Sequence, residues 1–193
     1  MENIKGVFDF LEKKAGKEVP LTYKLVYAPE RITKKELHYE GDITLRPKVD
    51  MVLPAGLDIN GGLEILDGPG EVTFQGKVDI LESVTLHNFQ KCKFLPGTKL
   101  SVGYTLTLHS SRNEDIELPD NLSAGVLDMS EVSFLTAIPK NLSVGELIIN
   151  ANTVRSLFDM SESSIYELKL ALRWKITDQG GEVGDIYCST RTY

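Results

Sequence analysis

Leu100-Ser101-Val102-Gly103-Tyr104-Thr105-Leu106-Thr107-Leu108 and Leu142-Ser143-Val144-Gly145-Glu146-Leu147-Ile148-Ile149 repeat one pattern. Each has an apolar-x-apolar triplet, a short turn holding glycine, and a second apolar-x-apolar triplet. Alternation with period two places the apolar residues on one face and the residues between them on the other, which is how a half-buried strand reads. The same pattern appears at Leu37-His38-Tyr39 with Ile43-Thr44-Leu45, Leu57-Asp58-Ile59 with Leu63-Glu64-Ile65, and Val78-Asp79-Ile80 with Val84-Thr85-Leu86. It recurs at Leu122-Ser123-Ala124 with Leu127-Asp128-Met129, and in degenerate form at Ser163-Ser164-Ile165 with Leu168-Lys169-Leu170. The seven first positions are separated by 20, 21, 22, 22, 20 and 21 residues.

A unit of this length cannot bury its own apolar face, so the units must stack and share one core. The expectation is a mainly β, single-domain solenoid of about seven 20–22-residue repeats over residues 37–170. Gly41, Gly61, Gly103, Gly125 and Gly145 fall between the two halves of a repeat, where a tight corner calls for positive φ. Leu53-Pro54, Leu95-Pro96, Leu118-Pro119 and Ile138-Pro139 precede repeats, and a residue that donates no hydrogen bond belongs at a corner.

The stretch Ile138-Pro139-Lys140-Asn141-Leu142, followed by Leu147-Ile148-Ile149-Asn150-Ala151-Asn152-Thr153-Val154 and Leu157, resembles a bacterial-type leucine-rich repeat. The resemblance implies that Asn152 is the consensus asparagine that hydrogen-bonds the turn after the strand. The preceding repeat has Val132 at the matching place, so the chain is closer to the short, loosely related repeats of tailed-phage and bacterial proteins. The period leaves two closures open, a leucine-rich horseshoe and a parallel β-helix.

An open stack needs atypical ends. Ile4, Val7, Phe8 and Leu11 have helical spacing, so residues 1–36 are expected to form an N-terminal cap of a helix and an extended segment. The alternative for that helix is a partner-binding or membrane-surface role. Residues 171–193 are expected to close the other end as a β-hairpin turning at Asp178-Gln179-Gly180-Gly181, with Trp174 packed over the last rung or standing out as a binding anchor.

Composition narrows the function classes. An apolar share of 41% fills one core, and the chain has no long apolar run and no leader-like start, so a soluble, cytoplasmic protein without membrane contact is expected, in a host cytoplasm if phage-encoded. Cys92 and Cys188 are too few and too far apart for a disulfide framework or a zinc motif. Residues 1–36 hold eight Lys/Arg against six Asp/Glu, leaving 13 against 22 for the rest. That balance disfavours direct nucleic-acid binding and favours a basic partner. No hydrolase, metalloprotease, phosphate-loop or dinucleotide motif is present, and neither a catalytic residue nor a cofactor is assigned.

Chemistry can still be assembled across rungs, because stacking brings equivalent residues to about 4.8 Å. One outward ladder reads His38, Asp58, Asp79, Ser101, Ser123, Ser143, Ser164, and the other Thr44, Glu64, Thr85, Thr107, Asp128, Ile148, Lys169. Asp58 above Asp79, with Glu64 nearby, either binds a cation, forms a catalytic carboxylate pair as in some β-helical polysaccharide-degrading enzymes, or is simply solvated. His87 and His109 occupy equivalent positions, suited to an anion or a metal, or simply polar residues at an exposed strand end. The expected function is non-enzymatic protein binding through Asp58, Glu64, Asp79, Thr85, Thr107, Asp128, His87 and His109, such as a phage-encoded inhibitor of a host defence enzyme or toxin. The alternatives are a carbohydrate-active or carbohydrate-binding β-helix and an acidic nucleic-acid mimic. Phe74, Phe89, Phe94 and Phe134 are read as core-filling corner residues.

Overall fold

The alternating triplets form strands and the spacing between them forms the turns of a parallel coil. The computed structural model describes residues 2–67, 70–89, 91–109 and 116–190. Two helices, α1 (Glu2–Lys13) and α2 (Leu21–Tyr27), lead into it. Each of the next three rungs holds three short strands: β1 (His38–Glu40), β2 (Ile43–Leu45) and β3 (Met51–Leu53); β4 (Leu57–Asn60), β5 (Leu63–Leu66) and β6 (Glu71–Phe74); β7 (Lys77–Ile80), β8 (Val84–His87) and β9 (Lys91–Phe94). From the fourth rung the first two strands fuse, giving β10 (Lys99–His109), β11 (Ser123–Met129) and β12 (Ser143–Asn150). The first two strands of every rung join one ten-stranded sheet, and β3, β6 and β9 make a second sheet of three.

The register follows the sequence spacing. His38 pairs with Asp58, Asp58 with Asp79, Asp79 with Ser101, Ser101 with Ser123 and Ser123 with Ser143, always in parallel. About five turns therefore carry the chain from β1 to β12. One inward ladder runs Ile43, Leu63, Val84, Leu106, Leu127, Leu147, and its members are at most 1% exposed. Burying each such side chain contributes about 1.5–3 kcal/mol, and because every ladder residue touches the next rung, the whole length shares one core.

The expected seventh repeat is corrected. Ser143 pairs next with Glu182, 39 positions on, and the intervening chain forms α3 (Ala151–Phe158) and α4 (Ile165–Asp178) before the last strand, β13 (Glu182–Ser189). Helix wins at Ser163–Leu170 because Ser164 and Glu167 make a reciprocal capping box. Leu168, Leu172 and Ile176 then bury a stripe at helical spacing. The expected C-terminal hairpin is corrected for the same reason. Residues 171–178 continue α4, β13 lies parallel to β12, and 191–193 are outside the described residues. Asn152 does not serve a repeat turn either: it sits in the first turn of α3, its N–H donating to Asn150 Oδ1 at 2.8 Å.

The first cap also differs from expectation. Phe8 of α1 packs with Val19 and Ala28 in a small separate cluster, and α2, in place of an extended segment, covers the first rung with Leu21 and Leu25. Lys24 is held under this cap by Glu36 at 2.8 Å and Glu12 at 3.6 Å. The hydrogen bond to Glu36 pushes the Lys24 ammonium above its usual range. Burial raises the Glu36 carboxyl, but the Lys24 and Thr33 hydrogen bonds more than offset this and leave it low.

The turn glycines serve a purpose other than the one expected. Of the five, only Gly41 has positive φ, at 107°. The others lie where successive rungs touch backbone to backbone. A Cβ on Gly61 would stand 2.3 Å from the Gly41 carbonyl oxygen, on Gly103 1.9 Å from Leu81 O, on Gly125 2.7 Å from Tyr104 O, and on Gly145 2.7 Å from Gly125 O. Gly184 in β13 ends the column, 2.3 Å from Gly145 O.

Candidate binding surface

The solenoid presents its outward residues at fixed register, and the structure places both expected ladders as read until the sixth rung. Thr44, Glu64, Thr85, Thr107, Asp128 and Ile148 are successive partners, but the seventh position is Tyr187, not Lys169, just as Glu182 replaces Ser164 in the other ladder. The carboxylates are not a bare acidic strip. Asp58 meets His38 Nδ1 at 2.8 Å, and His38 Nε2 reaches Glu40 at 3.0 Å. Asp79 pairs with Lys77 at 2.6 Å, Glu64 accepts from the Thr44 hydroxyl at 3.1 Å, and Asp128 accepts from the Ser130 N–H at 2.9 Å. Thr85 and Thr107 are half-buried between them. The hydrogen bond to Asp58, with the one to Glu40, raises the His38 imidazole above its ordinary range.

His87 and His109 do come together. They are register partners at the ends of β8 and β10, with ring centroids 5.8 Å apart and planes at 58°. Arg46 pairs with Asp67, Asp67 stands 4.0 Å from His87 Nδ1, and Glu131 stands 3.5 Å from His109 Nδ1. The resulting column alternates base and acid except at the two imidazoles. Among the described residues, no group of three or more His, Cys, Asp or Glu is placed to hold a metal ion.

Two further features escaped the sequence reading. The glycine column leaves the sheet face without side chains along a furrow of about 390 Å³, bounded by Tyr104, Thr105, Val126, Glu146 and Asp185. Glu146 and Asp185 face each other in register, and among the described residues neither has a cationic partner. The spacing Gly103, Gly125, Gly145 held the signal for this furrow, but not the Glu146–Asp185 pairing, which requires β13 to be the next strand.

The second feature is the outer face of α4. The helix lies along β13, with Arg173 donating to the Val183 carbonyl at 2.9 Å and the Gly184 carbonyl at 2.6 Å, so the last strand edge is partly satisfied. Lys169 stands over the Tyr187 ring at 5.6 Å. Away from the core, Tyr166, Leu170 and Trp174 follow one another at i, i+4 and i+8 and are 70%, 49% and 69% exposed. Trp174 therefore does not pack over the last rung, and Tyr187 is 48% exposed on the outer face of β13, beneath Lys169. Of the corner phenylalanines, Phe74 and Phe89 are buried and Phe94 stacks on Phe74 at 4.9 Å, but Phe134 is 44% exposed. Among the described residues, no helix is long and apolar enough to cross a membrane. Compared with models of known families, with curated proteins and with solved structures, the chain matches none of them.

Proposed function

We propose that this chain is a non-enzymatic binding protein that docks another protein on its C-terminal end, around Trp174. The observation that carries the reading is the aromatic stripe on α4. A cap that only closes a stack needs one apolar stripe, and Leu168, Leu172 and Ile176 already provide it. Tyr166, Leu170 and Trp174 form a second one facing water. Tyrosine and tryptophan on a rigid element are the residues that anchor protein interfaces, because they bring large area at little entropic cost. Together Tyr166, Leu170 and Trp174 expose roughly 400 Å² of side-chain surface, within the range of the largest patches on a monomer and often a sign of interaction.

Charge defines the partner further. The cap helix carries Lys169, Arg173 and Lys175 beside this stripe, and the outward face of the last rungs carries Glu146, Glu182 and Asp185, so the fitting partner has an apolar pocket with a rim of mixed charge. Inhibition of an enzyme or toxin is one form this binding would take. The test is capture from a bacterial lysate on immobilised full-length protein, beside the double variant Tyr166→Ser/Trp174→Ser. The expected result is one protein retained stoichiometrically by the wild type and lost by the variant. Equal retention by both would remove the cap from the interface, and no retention would refute the protein-binding reading.

The furrow favours a second reading. Tyr104 beside the Glu146–Asp185 pair over a glycine floor has the makings of a sugar subsite, an aromatic platform next to hydrogen-bonding carboxylates. Binding to a glycan array, abolished by Tyr104→Ala and indifferent to Trp174→Ser, would select it over the first.

A further inference from the structure

The geometry points to a surface site for one divalent transition-metal ion, of the zinc and copper class, held by His87 and His109. Both imidazoles are open to water, their side chains being 49% and 28% exposed, and strand pairing fixes them on adjacent rungs. Their Nδ1 atoms turn in opposite directions along the stack, that of His87 to Asp67 and that of His109 to Glu131. In an imidazole the edge opposite Nδ1 carries Nε2. The two Nε2 edges therefore face one another across the 5.8 Å gap between ring centroids. Bonds of about 2.1 Å from two Nε2 atoms to one tetrahedral ion put the centroids roughly 5 Å apart, which a small rotation of either side chain supplies.

The flanking carboxylates complete the argument. Each carboxylate lies on the Nδ1 side of its imidazole, where it can accept the Nδ1–H once Nε2 binds an ion and so orient the ring, which is how outer carboxylates support metal-bound histidines. Asp67 is itself anchored by Arg46, so its orientation does not depend on the ion. Imidazole nitrogen selects zinc, copper and nickel over magnesium and calcium. No third protein ligand of this kind is placed at the pair among the described residues, so water or a donor from a bound partner takes the remaining positions.

The third histidine serves as the control. His38 lies on the first rung with its own acidic partners, and changing it leaves this pair intact. The experiment is calorimetric titration of the untagged full chain with zinc, copper(II) and magnesium chlorides, each variant checked for native circular dichroism. The expected result is one zinc or copper ion per chain and none of magnesium. His87→Ala and His109→Ala each abolish that binding, His38→Ala leaves it unchanged, and Glu131→Gln weakens it about tenfold. Binding no tighter than that of the His87→Ala/His109→Ala double variant, or equal loss in His38→Ala, would overturn the site.

Discussion

Gly103→Ala tests how closely the rungs approach. The added Cβ would sit 1.9 Å from the Leu81 carbonyl oxygen, about 1.1 Å inside the 3.0 Å below which such contacts essentially never occur. The obstacle is backbone, so no side chain can swing away. Relief requires the fourth rung to lift from the third beside the Tyr104 N–H to Glu82 carbonyl hydrogen bond, which is 3.0 Å long. Overpacking strain of about 1–3 kcal/mol and roughly 1 kcal/mol for a weakened backbone hydrogen bond give an expected cost of about 3 kcal/mol. In a chain of this size that lowers Tm by roughly 6–12 °C. The series should rank by contact: Gly103→Ala worst, Gly61→Ala at 2.3 Å next, and Gly125→Ala and Gly145→Ala at 2.7 Å mildest. Gly6→Ala in α1, where a Cβ meets nothing within 4 Å, is the control and should stabilise by about 0.5–1 kcal/mol. Urea and thermal unfolding followed by circular dichroism read all five. A Gly103→Ala protein within about 0.5 kcal/mol of wild type would refute the close approach on which the furrow depends.

Three other outcomes follow from the ion pairs and thiols. His38, raised by its hydrogen bonds to Asp58 and Glu40, should titrate above a histidine in the denatured chain, and Asp58→Asn should bring it down. Because the folded value is the higher one, its stabilising contribution is complete below the denatured value and is lost as pH rises through the folded one, which proton NMR of the imidazole resonances checks. Lys24→Met strands Glu36 and Glu12 under α2 and should cost about 2 kcal/mol in urea unfolding, most of it regained in Lys24→Met/Glu36→Gln. The low Glu36 carboxyl contributes stability above the denatured Glu value and loses it as pH falls through the folded one, so Lys24→Met should also flatten the acid side of the stability profile. Burial pushes both thiols up, Cys92 the further, so a disulfide reagent should modify Cys188 slowly and Cys92 only after unfolding. Reaction of native Cys92 at the rate of the denatured thiol would contradict its place in the core.

The ladders were legible because two independent constraints agree. Period two decides which side chain faces in, and a step of 20–22 residues leaves a single register that keeps Ile43, Leu63, Val84, Leu106, Leu127 and Leu147 inside. The neutralisation of Asp79 was also within reach, since Lys77 is two residues before it on the same strand face. The asparagine position was misplaced: Asn121 and Asn141, not Asn152, stack in left-handed corners and share a 3.0 Å side-chain hydrogen bond. The recurrence of Pro119-Asp120-Asn121-Leu122 as Pro139-Lys140-Asn141-Leu142 carried that signal.

Residues 163–178 were misread because a short alternating run and one helical turn share apolar positions. Ser163-Ser164-Ile165 with Leu168-Lys169-Leu170 satisfies the strand pattern, yet Ser164 and Glu167 are spaced for a capping box, and the apolar residues continue at 172, 174 and 176 beyond any strand of this coil. Once the segment is helical, its apolar residues divide into two stripes, Leu168-Leu172-Ile176 and Tyr166-Leu170-Trp174, about a third of a turn or more apart. One helix lying on the end of a solenoid can bury only one of them. The aliphatic stripe fits the layer of leucine and isoleucine beneath it, so the aromatic stripe is left outside. Sequence alone does not choose between the two, because the choice depends on the shape of the last rung. That same division separates the part of the cap needed for folding from the part free to bind, and it predicts that Trp174→Ser alters capture of a partner while leaving Tm within about 2 °C of wild type.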